Sequence, residues 1–350
     1  MRHGLVGLVV LAIALLVGPK LQAITGYYEG RNVTYIVATN AGGGYDAYAR
    51  LLGGYLEKHL NADHVIIRNV PGAGHLVGAN TLARSRPDGL TIGTFNAGLI
   101  YGQLAGNEAL RFDLRELGWI GKAAGEPRAV VVSSECPIKT MDDLLAADEP
   151  IVFAGAGIGS ASYADTRLLS EALDLKIRII PGYEGTEAEM AMMRGEICGQ
   201  VASTSSVQGF VDAGYGAYLL SVGGSIDGVP NAMEFATDER GRRIVQLVST
   251  MAALGRVSAA PPGTPQEQLD ALREAYRTAL EDPALRAEAR TKGRPIDPAY
   301  GDDVKQLVAA ALDQTPATIE IIKRALNAGS LQANVASDAE PQQLFATAAD

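Results

Sequence analysis

The segment VTYIVATNAGGGYDAYARLLGGYLEKHL, residues 33–60, constrains this chain more than any other. Residues 34–38 form a short β-branched and apolar run, the mark of a buried strand. Gly42, Gly43 and Gly44 follow, and then Tyr48, Leu51, Leu52, Tyr55 and Leu56 recur at helical spacing. A strand that turns through glycines into a helix leaves unpaired N–H groups at the helix N-terminus, above the strand end. Glycine has no Cβ, so a ligand can approach that backbone closely. The turn is a candidate anion site, with a carboxylate as its expected occupant. The plainer alternative is a βα turn that needs glycine only for its dihedrals.

The same pattern recurs. HVIIR (64–68) runs into Asn69-Val70-Pro71-Gly72-Ala73-Gly74, and a third strand near 90–95 ends at Asn96-Ala97-Gly98. A second set begins at 129–133. Its strand at 151–154 leads into the loop 155–162, and the strand at 176–180 leads into Pro181-Gly182-Tyr183-Glu184-Gly185. Thr140 with Asp143, and Thr186 with Glu189, have the spacing of capping boxes. Strands alternating with helices predict α/β lobes built on mostly parallel sheets flanked by helices. Ligands of such sheets bind outside the strand C-terminal ends, so the glycine loops of two lobes would face each other across a cleft.

At 350 residues the chain has room for two domains, and its formal net charge of −10 argues against a nucleic-acid partner. Backbone dipoles can still bind an anion locally. Arg2 and His3 followed by an apolar run over 5–17 have a signal-peptide layout, with cleavage expected near Ala23. An uncleaved anchor is the alternative. Export leaves open whether Cys136 and Cys198 pair, but the expectation is two buried thiols in separate strands.

Catalytic patterns are thin. Gly155, Gly157 and Ser160 approach G-x-G-x-x-G but lack its third glycine, and no G-x-x-x-x-G-K-[ST], H-E-x-x-H or G-x-S-x-G occurs. His75 lies in a candidate ligand loop without a catalytic partner in view. The candidate loops carry no lysine or arginine; Arg68 lies just upstream of one.

Taken in order, these motifs resemble the substrate-binding proteins of tripartite tricarboxylate transporters, the Bug receptors. The resemblance rests on Ala41-Gly42-Gly43-Gly44-Tyr45-Asp46 with Arg50-Leu51-Leu52, and on Asn69 through Gly74. It continues through Pro87-Asp88-Gly89-Leu90-Thr91-Ile92-Gly93, Asn96, and Pro137-Ile138-Lys139-Thr140 with Asp142, Asp143 and Leu144. The loop 155–162, Tyr183-Glu184-Gly185-Thr186 and Ala260-Pro261-Pro262-Gly263-Thr264-Pro265 complete it. The chain departs from the family at Glu184, where lysine is frequent, at His75, at Ser203-Thr204 and around 228–231.

The resemblance implies a two-lobed periplasmic-binding-protein (Venus-flytrap) fold without catalysis. It also implies a carboxylate held by loop amides, hydroxyls and waters rather than by an arginine clamp. The expected organisation is a signal peptide at 1–23, lobe one at 24–126 plus 247–327, lobe two at 127–246, and a loose tail at 328–350. Expected ligand-binding residues are Asn40, Ala41, Gly42, Gly43, Gly44, Tyr45, Asp46, Gly74, His75 and Asn96 from lobe one. Lobe two should contribute Gly159, Ser160, Ala161, Ser162, Tyr183, Gly185, Thr186, Ser203 and Thr204. No metal, cofactor or nucleic acid is expected. The partners would be a small carboxylate and the permease subunits, with the receptor a periplasmic monomer. An exported α/β enzyme on a small carboxylate, or a receptor feeding a sensor, are the alternatives.

Overall fold

The computed structural model describes residues 26–337. The expected signal segment at 1–23 and residues 338–350 lie outside the described residues. Chain order in the first lobe is β1 (Asn32–Val37), α1 (Gly44–Leu60), β2 (His64–Asn69), α2 (Leu76–Ala83), β3 (Thr91–Thr94), α3 (Gly98–Ala105) and β4 (Gly118–Lys122). The second lobe follows with β5 (Arg128–Ser133), α4 (Met141–Leu145), β6 (Ile151–Gly155), α5 (Ala161–Leu173), β7 (Ile177–Pro181) and α6 (Glu187–Met193). It closes with β8 (Gly199–Ser203), α7 (Thr204–Asp212), β9 (Gly216–Val222), α8 (Ala232–Phe235) and α9 (Glu239–Ala252). The chain then returns as β10 (Val257–Ala260), α10 (Gln266–Glu281), α11 (Pro283–Thr291), β11 (Ala299–Tyr300), α12 (Gly301–Leu312) and α13 (Pro316–Ser337).

One sheet is ordered β11-β4-β10-β3-β1-β2 and the other β7-β6-β8-β5-β9. Both are mixed rather than mostly parallel. β1 runs parallel to β2 and β3, and β6 parallel to β7 and β8, but β10 is antiparallel to β3 and β4, and β5 to β8 and β9. The reason lies in the chain path. β5 and β10 are the strands that enter a lobe from the other one, so their N-terminal ends face the cleft. Their antiparallel neighbours, β3 and β4 beside β10 and β8 and β9 beside β5, present C-terminal ends there.

The two crossings, residues 123–127 and 253–256, hydrogen-bond to each other: Ala123 N–H to the Arg256 carbonyl at 2.9 Å, and Arg256 N–H to the Ala124 carbonyl at 2.8 Å. Glycine is required in this pair, since a Cβ on Gly125 would lie 2.6 Å from the Ala253 carbonyl oxygen. The expected lobe boundary between Gln246 and Leu247 falls inside α9. That helix buries Ile244, Leu247, Val248 and Met251 and packs on α5 of the second lobe, so the crossing comes after it. An amphipathic helix carries no mark of which sheet it covers.

The helix α13 runs through 328–337, part of the expected loose tail. It packs against both α3 and α5, and fully buried Ile322 alone contributes about 1.5–3 kcal/mol to that contact. Cys136 and Cys198 form a disulfide, where separate thiols were expected. Val132 of β5 sits opposite Gly199 of β8, which brings the chain beyond one strand end beside the residue before the other. The 62-residue separation hides this pairing from any local reading. Among the described residues no helix is long and apolar enough to cross a membrane.

Candidate functional site

A cavity of about 100 Å³ lies between the lobes, where the glycine loops meet. From the expected set it is lined by Gly43, Gly44, Tyr45, His75 and Asn96 of the first lobe, and by Ala161, Ser162, Tyr183, Gly185 and Ser203 of the second. Thr39, Arg128, Ala156, Glu189, Gln200, Val201, Ala202, Ser206 and Arg256 also line it and were not among the expected residues. A larger cavity of about 510 Å³, lined by Arg286, Arg290, Arg294 and Gln208 among others, lies apart from these loops and receives none of them.

The remaining expected residues stand around the cavity rather than in its wall. The Asp46 carboxylate accepts from Gly42 N–H at 3.0 Å, Arg50 Nε at 2.8 Å and Asn69 Nδ2 at 3.0 Å, so it ties the turn down. Ser160 caps α5, accepting from Tyr163 N–H at 3.2 Å. Thr204 donates to Glu126 at 3.2 Å, and the exposed Thr186 makes no side-chain cap. Asn40 reaches across the cleft to Glu187 at 3.4 Å. Ala41, Gly42, Gly74 and Gly159 are absent from the lining. Gly74 instead packs on the other lobe, where an added Cβ would lie 2.8 Å from Ser160 N.

The lobes are closed. A Cβ on Gly43 would lie 3.0 Å from Gly185 Cα of the opposite lobe. Gly43 therefore serves lobe-to-lobe approach, where the sequence suggests contact between ligand and backbone. Three helices bring their N-terminal ends to the cavity: α1 at Gly43 and Gly44, α5 at Ala161 and Ser162, and α7 at Ser203 and Ser206. Helix N-termini carry a positive dipole end and N–H groups without intrahelical partners. In α7 the first of these are already taken, Thr204 N–H by the Pro127 carbonyl at 3.1 Å and Ser205 N–H by Glu126 at 2.7 Å.

The expectation of a site without basic residues is corrected. Arg128 and Arg256 both line the cavity, and each is matched by a buried carboxylate behind the wall. Arg128 Nε lies 2.7 Å from Asp165, and Arg256 Nη2 lies 2.9 Å from Glu126. Burial pushes the Glu126 carboxyl up, but Arg256, Ser205 and Thr204 outweigh this and hold it below the usual range. Arg256 also stacks over Tyr45, with its guanidinium carbon 4.5 Å from the ring centroid. Tyr45 in turn meets the His75 ring edge-on at 5.4 Å. Burial, then the charges of Arg256 and Arg128, push His75 down to about 3, so its ring is neutral. Its backbone is left-handed (φ 79°), a conformation that costs a residue with a Cβ about 1–2 kcal/mol.

Arg68 is exposed on β2, outside the cavity. The spacing of Thr186 and Glu189 predicts a capping box. In the structure Glu189 turns to Gln200 instead, with Gln200 Nε2 donating to Oε1 at 3.1 Å. Arg128, Gln200 and Arg256 gave no local signal because each sits on a strand or a crossing. Among the described residues no group of His, Cys, Asp or Glu could hold a metal ion.

Two α/β lobes on paired crossings, closed over one polar cavity, define the two-lobed fold of periplasmic binding proteins. The structure superposes on the periplasmic binding protein BugD with a TM-score of 0.71 at 23% identity, covering 85% of this chain and 98% of that one. The malate-bound MatC of Rhodopseudomonas palustris gives 0.69 at 22%, covering 85% and 99%. A curated UPF0065 protein of Agrobacterium vitis, from an intergenic region between ttuE and ttuC′, is 31% identical over 74% of each chain. The family model of the tripartite tricarboxylate transporter family receptor matches residues 48–326. The chain belongs to that receptor family.

Proposed function

We propose that the protein is a periplasmic receptor that binds a small carboxylate-containing metabolite between its lobes and presents it to the permease subunits of a tripartite tricarboxylate-type transporter. The observation that carries this reading is the convergence of helix N-termini from both lobes on one cavity between them. Each dipole contributes about 0.3–1 kcal/mol to an anion, and each hydrogen bond to a charged oxygen about 1.5–3 kcal/mol. Several together reach about −8 kcal/mol, micromolar binding, after association costs of several kcal/mol. Arg128 and Arg256 add donors, but their charges are already matched inside the protein. Among proteins of similar fold, one is bound to malate and another, also from R. palustris, to adipate, which supports a carboxylate ligand. The signal-like segment at 1–23 supports export. The receptor works as a monomer, needs no cofactor and does not transform its ligand.

Purified protein should carry or bind one carboxylate per chain, with a Kd of about micromolar order. The ligand should be recovered unchanged by mass spectrometry. Conversion of the bound compound would make the protein an enzyme, and failure of every carboxylate to bind in calorimetry would overturn the reading.

A further inference from the structure

The groove of about 510 Å³ away from the glycine loops gathers three arginines that no acid answers. Arg286 and Arg290 come from α11, Arg294 from the turn after it, and Gln208 of α7 adds a wall from the other lobe. Arg286 and Arg290 are exposed and Arg294 is half-buried. Among the described residues none of the three forms an ion pair, because the neighbouring acids are engaged elsewhere. Glu288 holds Lys292 at 2.6 Å, Asp282 holds Lys58 at 3.1 Å, and Asp212 accepts from Gln208 Nε2 at 2.6 Å. Arg286 Nε donates to the Leu280 carbonyl at 2.8 Å, and Arg294 donates to the Ser205 carbonyl. Carbonyls orient a guanidinium but leave its charge unmatched. Ser205 also gives its N–H and Oγ to Glu126 of the buried pair, so the groove and the wall of the ligand cavity meet at one residue.

The shape of the groove selects among anions. Arg286 and Arg290 stand about one helical turn apart on α11, roughly 6 Å along its axis. A single oxyanion fills a small part of such a space and does not reach all three guanidiniums. Ala289, Pro295 and Ile296 line the same groove, and apolar walls suit the stems of side chains rather than a hydrated ion. The groove is concave, with walls on two lobes, so a flat bilayer surface does not enter it. On a chain with a formal net charge of −10, an acidic partner is repelled in general and steered to a local cluster of guanidiniums, whose planar forks match carboxylates. Resting on the receptor reading above, we propose that this groove docks an acidic peptide segment of the membrane partner, with two or more of its carboxylates on Arg286, Arg290 and Arg294.

The probe is a fluorescein-labelled hexaglutamate peptide, titrated with the purified protein at about 0.05 M salt and followed by fluorescence anisotropy. The wild type should bind it. Arg286→Gln combined with Arg290→Gln should weaken binding at least about tenfold. Arg290→Gln alone, which disturbs no hydrogen bond among the described residues, should weaken it at least about threefold and serves if the double variant does not fold. Arg86→Gln combined with Arg111→Gln removes the same charge from exposed positions outside the groove and should cost less than about threefold. No binding by the wild type, or equal losses in the two double variants, overturns the inference. Full displacement of the peptide by equimolar pyrophosphate would mark a site for a small oxyanion, and equal, arginine-dependent binding to phosphatidylglycerol vesicles would mark a lipid contact; either result overturns it as well. Calorimetry of carboxylates with the same proteins reads the cleft separately. Carboxylate binding without peptide binding strikes this inference alone, whereas failure of every carboxylate removes the receptor reading, whatever the peptide does.

Discussion

Arg256 of the second crossing and Glu126 of the first lie 2.9 Å apart, and both side chains are only 2% exposed. The pair joins three parts of the molecule. Glu126 accepts from Ser205 N–H at 2.7 Å and Ser205 Oγ at 2.8 Å at the start of α7, while Arg256 reaches Ser206 at 3.0 Å and stacks on Tyr45 of the glycine turn. The crossings, the second lobe and the cavity wall therefore share one buried charge pair.

Removing one member should be far worse than removing both. Arg256→Met leaves a buried, uncompensated carboxylate and should cost about 3–5 kcal/mol in urea unfolding. The double variant Arg256→Met with Glu126→Gln should recover more than half of that loss. Equal losses in the single and double variants would show that packing, not the unpaired charge, dominates.

The glycine turn should matter for closure. Gly43→Ala places a Cβ about 3.0 Å from Gly185 Cα across the cleft, tight enough to push the lobes apart. Ligand affinity should fall by about tenfold or more, since the closed state is penalised. The melting temperature of the ligand-free protein should stay within a few degrees of wild type. Unchanged affinity by calorimetry would mean that the loops adjust.

His75 should make stability depend on pH. Its folded value of about 3 lies below the ordinary 6.5, so below 6.5 the unfolded chain takes up a proton that the folded one refuses. The contribution is fully present above pH 6.5 and is lost as pH falls towards 3. From pH 7.5 to 5.0 the loss from this group should be about 2 kcal/mol. His75→Gln should flatten the urea-derived profile by that amount over the same interval. Parallel profiles for the two proteins would rule the effect out.

The disulfide should stabilise the second lobe. Replacing Cys136 and Cys198 by serine should cost about 2–4 kcal/mol under oxidising conditions. Adding reductant to the wild type should have the same effect and leave the double variant unmoved. Two free thiols in the unfolded, unreduced wild type would show that the bond does not form.

What sequence alone determined here is local. The strand, glycine turn and helix of 33–60 are legible because their dihedrals and apolar spacing are written within a few residues, and the same holds for the cap at Thr140, which accepts from Asp143 N–H as its spacing suggests. The ordered set of such motifs was enough to place the chain near its family. Tertiary structure alone decided the charges. Arg256 meets Glu126 from 130 positions away and Arg128 meets Asp165 from 37, separations at which no periodicity or motif speaks. It also decided the sense of Glu189. Thr186 and Glu189 have the spacing of a capping box, but the box needs both residues turned to the helix end. Here packing turns the glutamate of α6 to Gln200 on β8, because the energy of one cap is small beside the burial that orients the helix. Propensity acts over one turn of chain, whereas the identity of a cavity wall is set by which strands the sheet places side by side.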